Sequence, residues 1–507
     1  MMSEPISILE QTYQWERETA LLESTQATLE WDERTGMPPA AGAYRAEQIT
    51  YLSGLIHQRR TDAAQAERID KVVQLASEQP DNEDLVVTAR YLKRNLIRRQ
   101  KLPLDLVQAM TKAVVLGQQA WSQARKARSF ADFLPSLNTI VKLKREEANL
   151  LAIDGSAYNG LLDEYEEGAT EAHLQILFAD LRKQLVPIVA EAAESTQKRG
   201  AILVQPTIPI EAQRGFNHLV AQQVGFSFEA GRLDETDHPF CTTLGPRDCR
   251  ILTRYFENDL LSSLFSTLHE AGHGMYEQGL PAEHFGLPLG SYASLGIHES
   301  QSRLWENAVG RSLPFWQWCT PQLQKHFPGL FAQATPDQLY RYTNAVSRSF
   351  IRVESDEATY NLHIAIRFEI ERQLISGDLN PTDLPDAWNA AYMEYLGISP
   401  SNHAEGCLQD VHWSAGLFGY FPTYTLGNLI AAQWMETIQQ SIGDLDSLHC
   451  RGDFRPLLEW LRTNVHQHGK RYTPGRLVER VTGRPLSAIP FVKYLKQKLT
   501  ATGLLVG

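Results

Sequence analysis

The sequence predicts a mainly α-helical protein with one small β-sheet. Three observations carry this. From Ile6 to about Gln223, apolar residues recur at helical spacing, and the segments are broken only by short polar or proline-bearing turns such as Met37-Pro38-Pro39 and Gln79-Pro80-Asp81-Asn82. Strand-like alternation is nearly absent from that stretch. The tail from Gly427 to Leu499 returns to helical periodicity.

The one departure is Gly225 to Tyr255. Phe226-Ser-Phe-Glu alternates, Gly245-Pro246 makes a turn, and Cys249 to Tyr255 is rich in β-favouring residues. A small antiparallel sheet is expected over about 225–255, leading into the next helix. Its edge would be placed to hold an extended chain by backbone pairing.

Composition narrows the partners. The 507 residues are 43% hydrophobic and 21% charged with net charge −12, an acidic balance that argues against nucleic acid or an anionic membrane. A small or peptidic partner remains. The N-terminus is polar with no apolar signal core, and no run approaches the roughly 18 apolar residues that span a bilayer, so a cytoplasmic location is expected. Cys241, Cys249, Cys319, Cys407 and Cys450 are odd in number and scattered, which fits reduced, mostly buried thiols.

The candidate chemistry starts at Thr267 to Gly274, which reads T-L-H-E-A-G-H-G. Apolar Leu260, Leu261, Leu264 and Leu268 keep helical spacing, Asn258 or Asp259 can cap the start, and Gly279 followed by Pro281 can end it. Residues four apart share a helix face, so His269 and His273 can hold one ion, and Glu270 flanks it as candidate general base. A third ligand is required. Glu299, a loop and a further helix beyond His273, suits a His-His-Glu zinc site, with adjacent His298 as a rival; a surface ion pair is the plain alternative for Glu299.

Further along, Asp356 to Ser376 reads as a helix capped by Ser355 or Asp356 and stopped by Gly377, with Arg352 just before it. Gly406 to Trp413 and Gly416 to Tyr424 are dense in glycine and aromatic rings, fitting either a packed core loop or an active-site wall.

At these residues the chain resembles the carboxypeptidase Taq family of thermostable zinc metallocarboxypeptidases. The likeness runs from Leu29-Glu-Trp-Asp through Leu161-Leu-Asp-Glu-Tyr-Glu to Phe491-Val-Lys-Tyr-Leu. It includes His238-Pro239-Phe240, His298 to Gln301, and Gly406 to Trp413. The resemblance implies His269, His273 and Glu299 as zinc ligands and Glu270 as base. Two motifs depart: D-x-R-x-T has Asp248 and Arg250 but Leu252 in place of threonine, with Thr253 next, and I-R-x-x-A-D has Ser355 in place of alanine. The resemblance further implies a single catalytic domain over 1–507, with its zinc-site core at about 256–430. It also implies a deep groove, a homodimer, and release of single C-terminal residues with broad preference.

The resulting expectation is a metallocarboxypeptidase with one Zn2+ per chain, replaceable by Co2+, acting on peptides with a free C-terminus. Tyr420, Tyr424 and His412 are the candidate oxyanion donors. For the substrate carboxylate, Arg352 ranks first because its planar fork would sit at a helix start, followed by Arg250, unless Arg250 pairs with Asp248; Arg348 is a third candidate. His238 and Tyr424 are counted with the groove residues. The rival reading is an endo-oligopeptidase or dipeptidyl carboxypeptidase on a similar helical body. A silent peptide-binding protein is the weakest, since Glu270 and all three ligands are present.

Overall fold

The computed structural model describes residues 7–200 and 205–506; Ile6, where the first periodic segment was expected to start, lies outside them. Among the described residues there are twenty α-helices and one three-stranded sheet. Among the described residues, no helix is long and apolar enough to cross a membrane. Buried apolar side chains form a continuous core from Ala113 to Leu504, and the helices between residues 63 and 100 add two small clusters of their own.

The sheet is mixed, which corrects the antiparallel expectation. Its order is β1 (Gly231–Glu235), β3 (Asp248–Thr253), β2 (Phe240–Gly245), with β1 parallel and β2 antiparallel to β3. The reason lies in composition. β3 carries buried Cys249, Ile251, Leu252 and Thr253 and takes the protected centre, whereas charged β1 takes an edge. The alternating Phe226-Ser-Phe-Glu is a turn, not a strand: Phe226 and Phe228 pack edge to face at 5.1 Å, and Phe226 is buried beside Gly274.

The helix bearing the H-E-x-x-H motif runs Leu260–Gly279, with Asp259 accepting from the Ser262 amide as cap. It ends where expected, and a Cβ on Gly279 would meet the His466 ring at 2.4 Å. Two more helices complete the frame of the site, Leu295–Arg303 and Pro422–Ile442. They approach so closely that only glycine fits. A Cβ on Gly272 would lie 2.6 Å from the Gln301 carbonyl oxygen, and one on Gly427 would lie 2.6 Å from Cγ of Glu299. The Glu357–Ser376 helix has Asp356 as cap and Gly377 as stop, in the left-handed conformation at φ 95°.

The start of the Leu295–Arg303 helix is held by Glu166, at the end of the helix Ala157–Tyr165. Its carboxylate accepts from Ser294 Oγ at 3.0 Å and the Gly296 amide at 2.9 Å. This serves donors that a helix N-terminus would otherwise leave unmet. Across from the sheet lies the N-terminal helix Ile8–Thr35, where Ser24 Oγ donates to the Leu244 carbonyl. Between this helix, β2 and the Leu260–Gly279 helix runs a groove of about 940 Å³.

Burial pushes the Glu166 carboxyl up to about 7 against its two hydrogen bonds. A raised folded value means that its contribution is fully present below the unfolded value of 4.5 and is lost as pH rises through about 7. We expect Glu166→Gln to flatten the fall in melting temperature across that range. The fall will not vanish, because burial raises Glu371 in the same direction. Glu166→Ala should lower stability by about 1–3 kcal/mol, for donors left unmet; calorimetry across the pH range checks both.

Candidate active site

His269 and His273, one turn apart, project from the Leu260–Gly279 helix toward Glu299 on the Leu295–Arg303 helix. Their Nε2 atoms lie 3.7 Å and 3.4 Å from Glu299 Oε2. One ligand atom from each of the three residues falls within 4.8 Å of the others. Two imidazoles and one carboxylate at such spacing fit a zinc-type divalent cation with a position left open.

The protonation states of His273 and Glu299 fit as well, whereas burial, which would lower His269, is outweighed by Glu299 and then Glu306, which raise it above its usual value. Burial, then the neighbouring His298, pushes His273 down to about 3, so its ring is neutral as a ligand must be. Burial alone would raise Glu299, but Arg303, donating from Nε at 2.7 Å, and then His269 outweigh it and hold the carboxyl well below its usual range. Ser302 Oγ adds a hydrogen bond at 3.0 Å to Oε2.

The two histidines are braced differently from behind. His269 Nδ1 meets Glu306 Oε2 at 2.9 Å, a direct carboxylate–histidine pair, and Glu306 is in turn held by Arg303 and Arg311. His273 Nδ1 meets His298 Nδ1 at 2.5 Å, and His298 Nε2 meets Glu277 Oε1 at 2.9 Å. A cation on Nε2 of His273 would leave its Nδ1–H to donate to His298, whose Nε2–H would then donate to Glu277. Thr243 Oγ1 on β2 donates to the other oxygen of Glu277 at 3.0 Å. The chain fixes both tautomers.

Glu270 is 5% exposed, lines the groove, and its Oε2 has no hydrogen-bond partner. Burial pushes its carboxyl up to about 7, with the His269 charge opposing.

Along nearly its whole length the chain matches the carboxypeptidase Taq (M32) metallopeptidase profile, which covers residues 11–499. The chain belongs to the M32 carboxypeptidase Taq family. It is therefore a metallocarboxypeptidase, a hydrolase. Thermostable carboxypeptidase 1 of Thermus thermophilus is 42% identical over 98% of this chain and 99% of its own. Carboxypeptidase 1 of Bacillus subtilis is 37% identical over 94% and 95%. The crystal structure of the M32 carboxypeptidase of Deinococcus radiodurans superposes with TM-score 0.93 at 38% identity, covering 98% of this chain and 99% of that one.

The M32 motifs outside the metal set are distributed unevenly around the groove. Tyr420 and Tyr424 line it. His412 does not; it is buried behind Tyr424, with Nε2 at 3.1 Å from the Tyr424 hydroxyl. Arg352 is also buried behind that wall, giving Nε and Nη2 to Asp410 Oδ1 at 3.0 and 2.8 Å and Nη1 to the Tyr360 hydroxyl at 3.0 Å. It sits in a short 3-10 turn, Arg352–Glu354, separate from the Glu357–Ser376 helix. Arg250 pairs with Asp248 and lies over the Trp31 ring at 4.1 Å, tying β3 to the N-terminal helix. His238 is exposed between β1 and β2, while its neighbours Pro239 and Phe240 face the groove. Leu252, where the family motif has threonine, is fully buried and does not line the groove. Ser355 Oγ donates to the Arg352 carbonyl.

Sequence reasoning missed Glu277, Arg303 and Glu306, and weighed His298 only as a ligand. The signal was present: His269, His273 and Glu277 fall at i, i+4, i+8 on one helix face, and Glu299, Arg303 and Glu306 at i, i+4, i+7 on another. Glu306 lies in a single π turn, Leu304–Val309, a widening that spacing alone does not forecast.

Two outcomes follow from the bracing. His298→Ala should weaken divalent metal binding about 10- to 100-fold, read by competition with a chromogenic chelator. Gly427→Ala should displace the Glu299 side chain and lower metal affinity with little change in helix content; unchanged affinity in that variant would show that the close approach does not set the site.

Proposed function

We propose that this chain removes single C-terminal residues from peptides with broad preference, using Zn2+ and Glu270-assisted attack of water. One observation carries the reading: the partnerless, buried carboxylate of Glu270 faces the groove beside the converged His269, His273 and Glu299. A divalent cation held by those three residues supplies Lewis acidity, polarising a peptide carbonyl and making water acidic enough to ionise near neutral pH. Glu270 accepts the proton of the attacking water and returns it to the leaving amine, and a carboxyl near 7 suits both transfers.

Tyr420 and Tyr424 line the groove and offer their hydroxyls as candidate donors to the developing oxyanion. His412 orients Tyr424 from behind rather than reaching the substrate. For the terminal carboxylate, support comes from the buried group in which Asp410 is shared by Arg352 and Arg367, leaving one positive charge uncompensated. The Arg352 guanidinium lies 5.1 Å from the Tyr424 ring centre, so its charge acts on the groove through that wall. Free thiols at all five cysteines support a cytoplasmic setting, and the working form is taken as a homodimer.

The decisive experiment digests paired free and amidated peptides and reads the products by mass. A ladder losing one residue at a time from free ends alone, abolished by chelator, is expected; internal fragments or dipeptides would favour the endo-oligopeptidase or dipeptidyl reading. Glu270→Gln should retain metal and lose about 10²- to 10⁴-fold in turnover. Arg352→Ala should raise KM for free-ended peptides by less than a direct charge-assisted contact would, because the charge reaches the groove only through the Tyr424 ring, and should narrow the gap to amidated ones. A gap as wide as the parent's places the carboxylate contact elsewhere.

A further inference from the structure

Two cysteines stand in the groove wall with no part in the hydrolysis described above. Cys241 on β2 and Cys249 on β3 both line the groove, and their sulfurs are 3.6 Å apart. The strand register pairs Cys241 with Ile251 and Cys249 with Thr243, so the thiols are diagonal neighbours on one face of the sheet. Cys241 is half-buried and opens to the groove, whereas Cys249 is buried beneath it. Of the other cysteines, Cys319 and Cys407 are buried, and Cys450 bonds to Gln317. Cys241 and Cys249 are the one close thiol pair among the described residues.

Their spacing distinguishes between two kinds of thiol chemistry. A disulfide requires the sulfurs at about 2.05 Å, well inside the 3.6 Å at which the two thiols stand. Two thiolates sharing a tetrahedral ion at about 2.3 Å each are held roughly 3.8 Å apart, close to what the strands already impose. The pair also touches the metal centre indirectly. Thr243, opposite Cys249 in the ladder, holds Glu277, and Glu277 ends the hydrogen-bond chain from His273.

We propose that Cys241 and Cys249 form a second cation site in the groove wall, taking a tetrahedral thiophilic ion such as Cd2+, and that its occupation inhibits peptide cleavage. Each thiol gives up a proton to solvent and forms one metal–sulfur bond, so two protons are released per divalent ion and no electrons move. The bound ion stands on the wall shared by β2 and Glu277, where an extended substrate would lie. The His269, His273 and Glu299 centre contains no sulfur, which allows the two sites to be told apart.

The test titrates the metal-loaded enzyme with CdCl2. We expect ultraviolet thiolate-to-cadmium charge-transfer absorption that saturates at one ion per chain. Activity should fall in parallel, with no resident metal released to a chromogenic chelator. Cys241→Ser should lose the absorption and need at least roughly 10-fold more Cd2+ for the same inhibition, while Cys450→Ser should behave as the parent. Because Cys249 is buried and its replacement can disturb folding, the parent and Cys241→Ser are also treated with phenylarsine oxide. This reagent captures thiol pairs with loss of water, and mass spectrometry should show one adduct in the parent and none in the variant. No absorption, or absorption retained in Cys241→Ser, overturns the site. Absorption with full activity overturns its inhibitory effect.

Discussion

The groove depends on keeping Glu299 ionised inside the protein. A carboxylate removed from water costs several kcal/mol unless it is paired and hydrogen-bonded, and Glu299 is 6% exposed. Arg303, one turn on, meets that cost and is itself shared with Glu306, whose other oxygen is held by Arg311. Two arginines thus balance two glutamates before any cation arrives. A cation between His269, His273 and Glu299 would meet one carboxylate, the Glu270 carboxyl and two imidazoles, a set whose charge it could itself offset. The Arg303 guanidinium also lies 4.2 Å from the Tyr360 ring, and Tyr360 contacts Arg352, so the metal centre and the Asp410 group share a neighbour.

The bracing of the two histidines gives the sides of the site different reach. His269 is tied to Glu306 within the helical body. His273 is tied through His298 and Glu277 to Thr243 on β2, a strand that faces the substrate groove. The side-chain hydrogen-bond chain thus links β2 to His273 and not to His269. The N-terminal helix shares in this, because Ser24 grips the backbone of β2 at Leu244. Helices supply most of the groove, and the small sheet supplies one wall of it.

Much of this was legible in the sequence, and the reasons differ by residue. The Leu260–Gly279 helix and its Asp259 cap follow from local rules, as does the Glu357–Ser376 helix between Asp356 and Gly377. Helical spacing put His269, Glu270 and His273 together, and Glu299 was reachable by counting a loop and a helix. What local rules could not supply was pairing across the chain. The parallel β1–β3 ladder depends on which strand takes the centre of the sheet, and Phe226 alternates like a strand residue because it packs on Gly274. Arg352 looked like a free cation at a helix start. Its partner, Asp410, comes from a distant loop, and nothing near Arg352 in sequence announces that carboxylate.

The two glycines at the helix crossings bear on how such a centre can be moved or rebuilt. Packed helices ordinarily stand about 8–10 Å apart, with the contact side chains setting the distance. Here Gly272 and Gly427 remove those side chains where three helices meet, so backbone rather than packing determines where Glu299 stands. Grafting His269, Glu270, His273 and Glu299 onto another helical scaffold would reproduce the ligands and miss their spacing. The transferable unit is the four functional residues together with the two absent methyl groups.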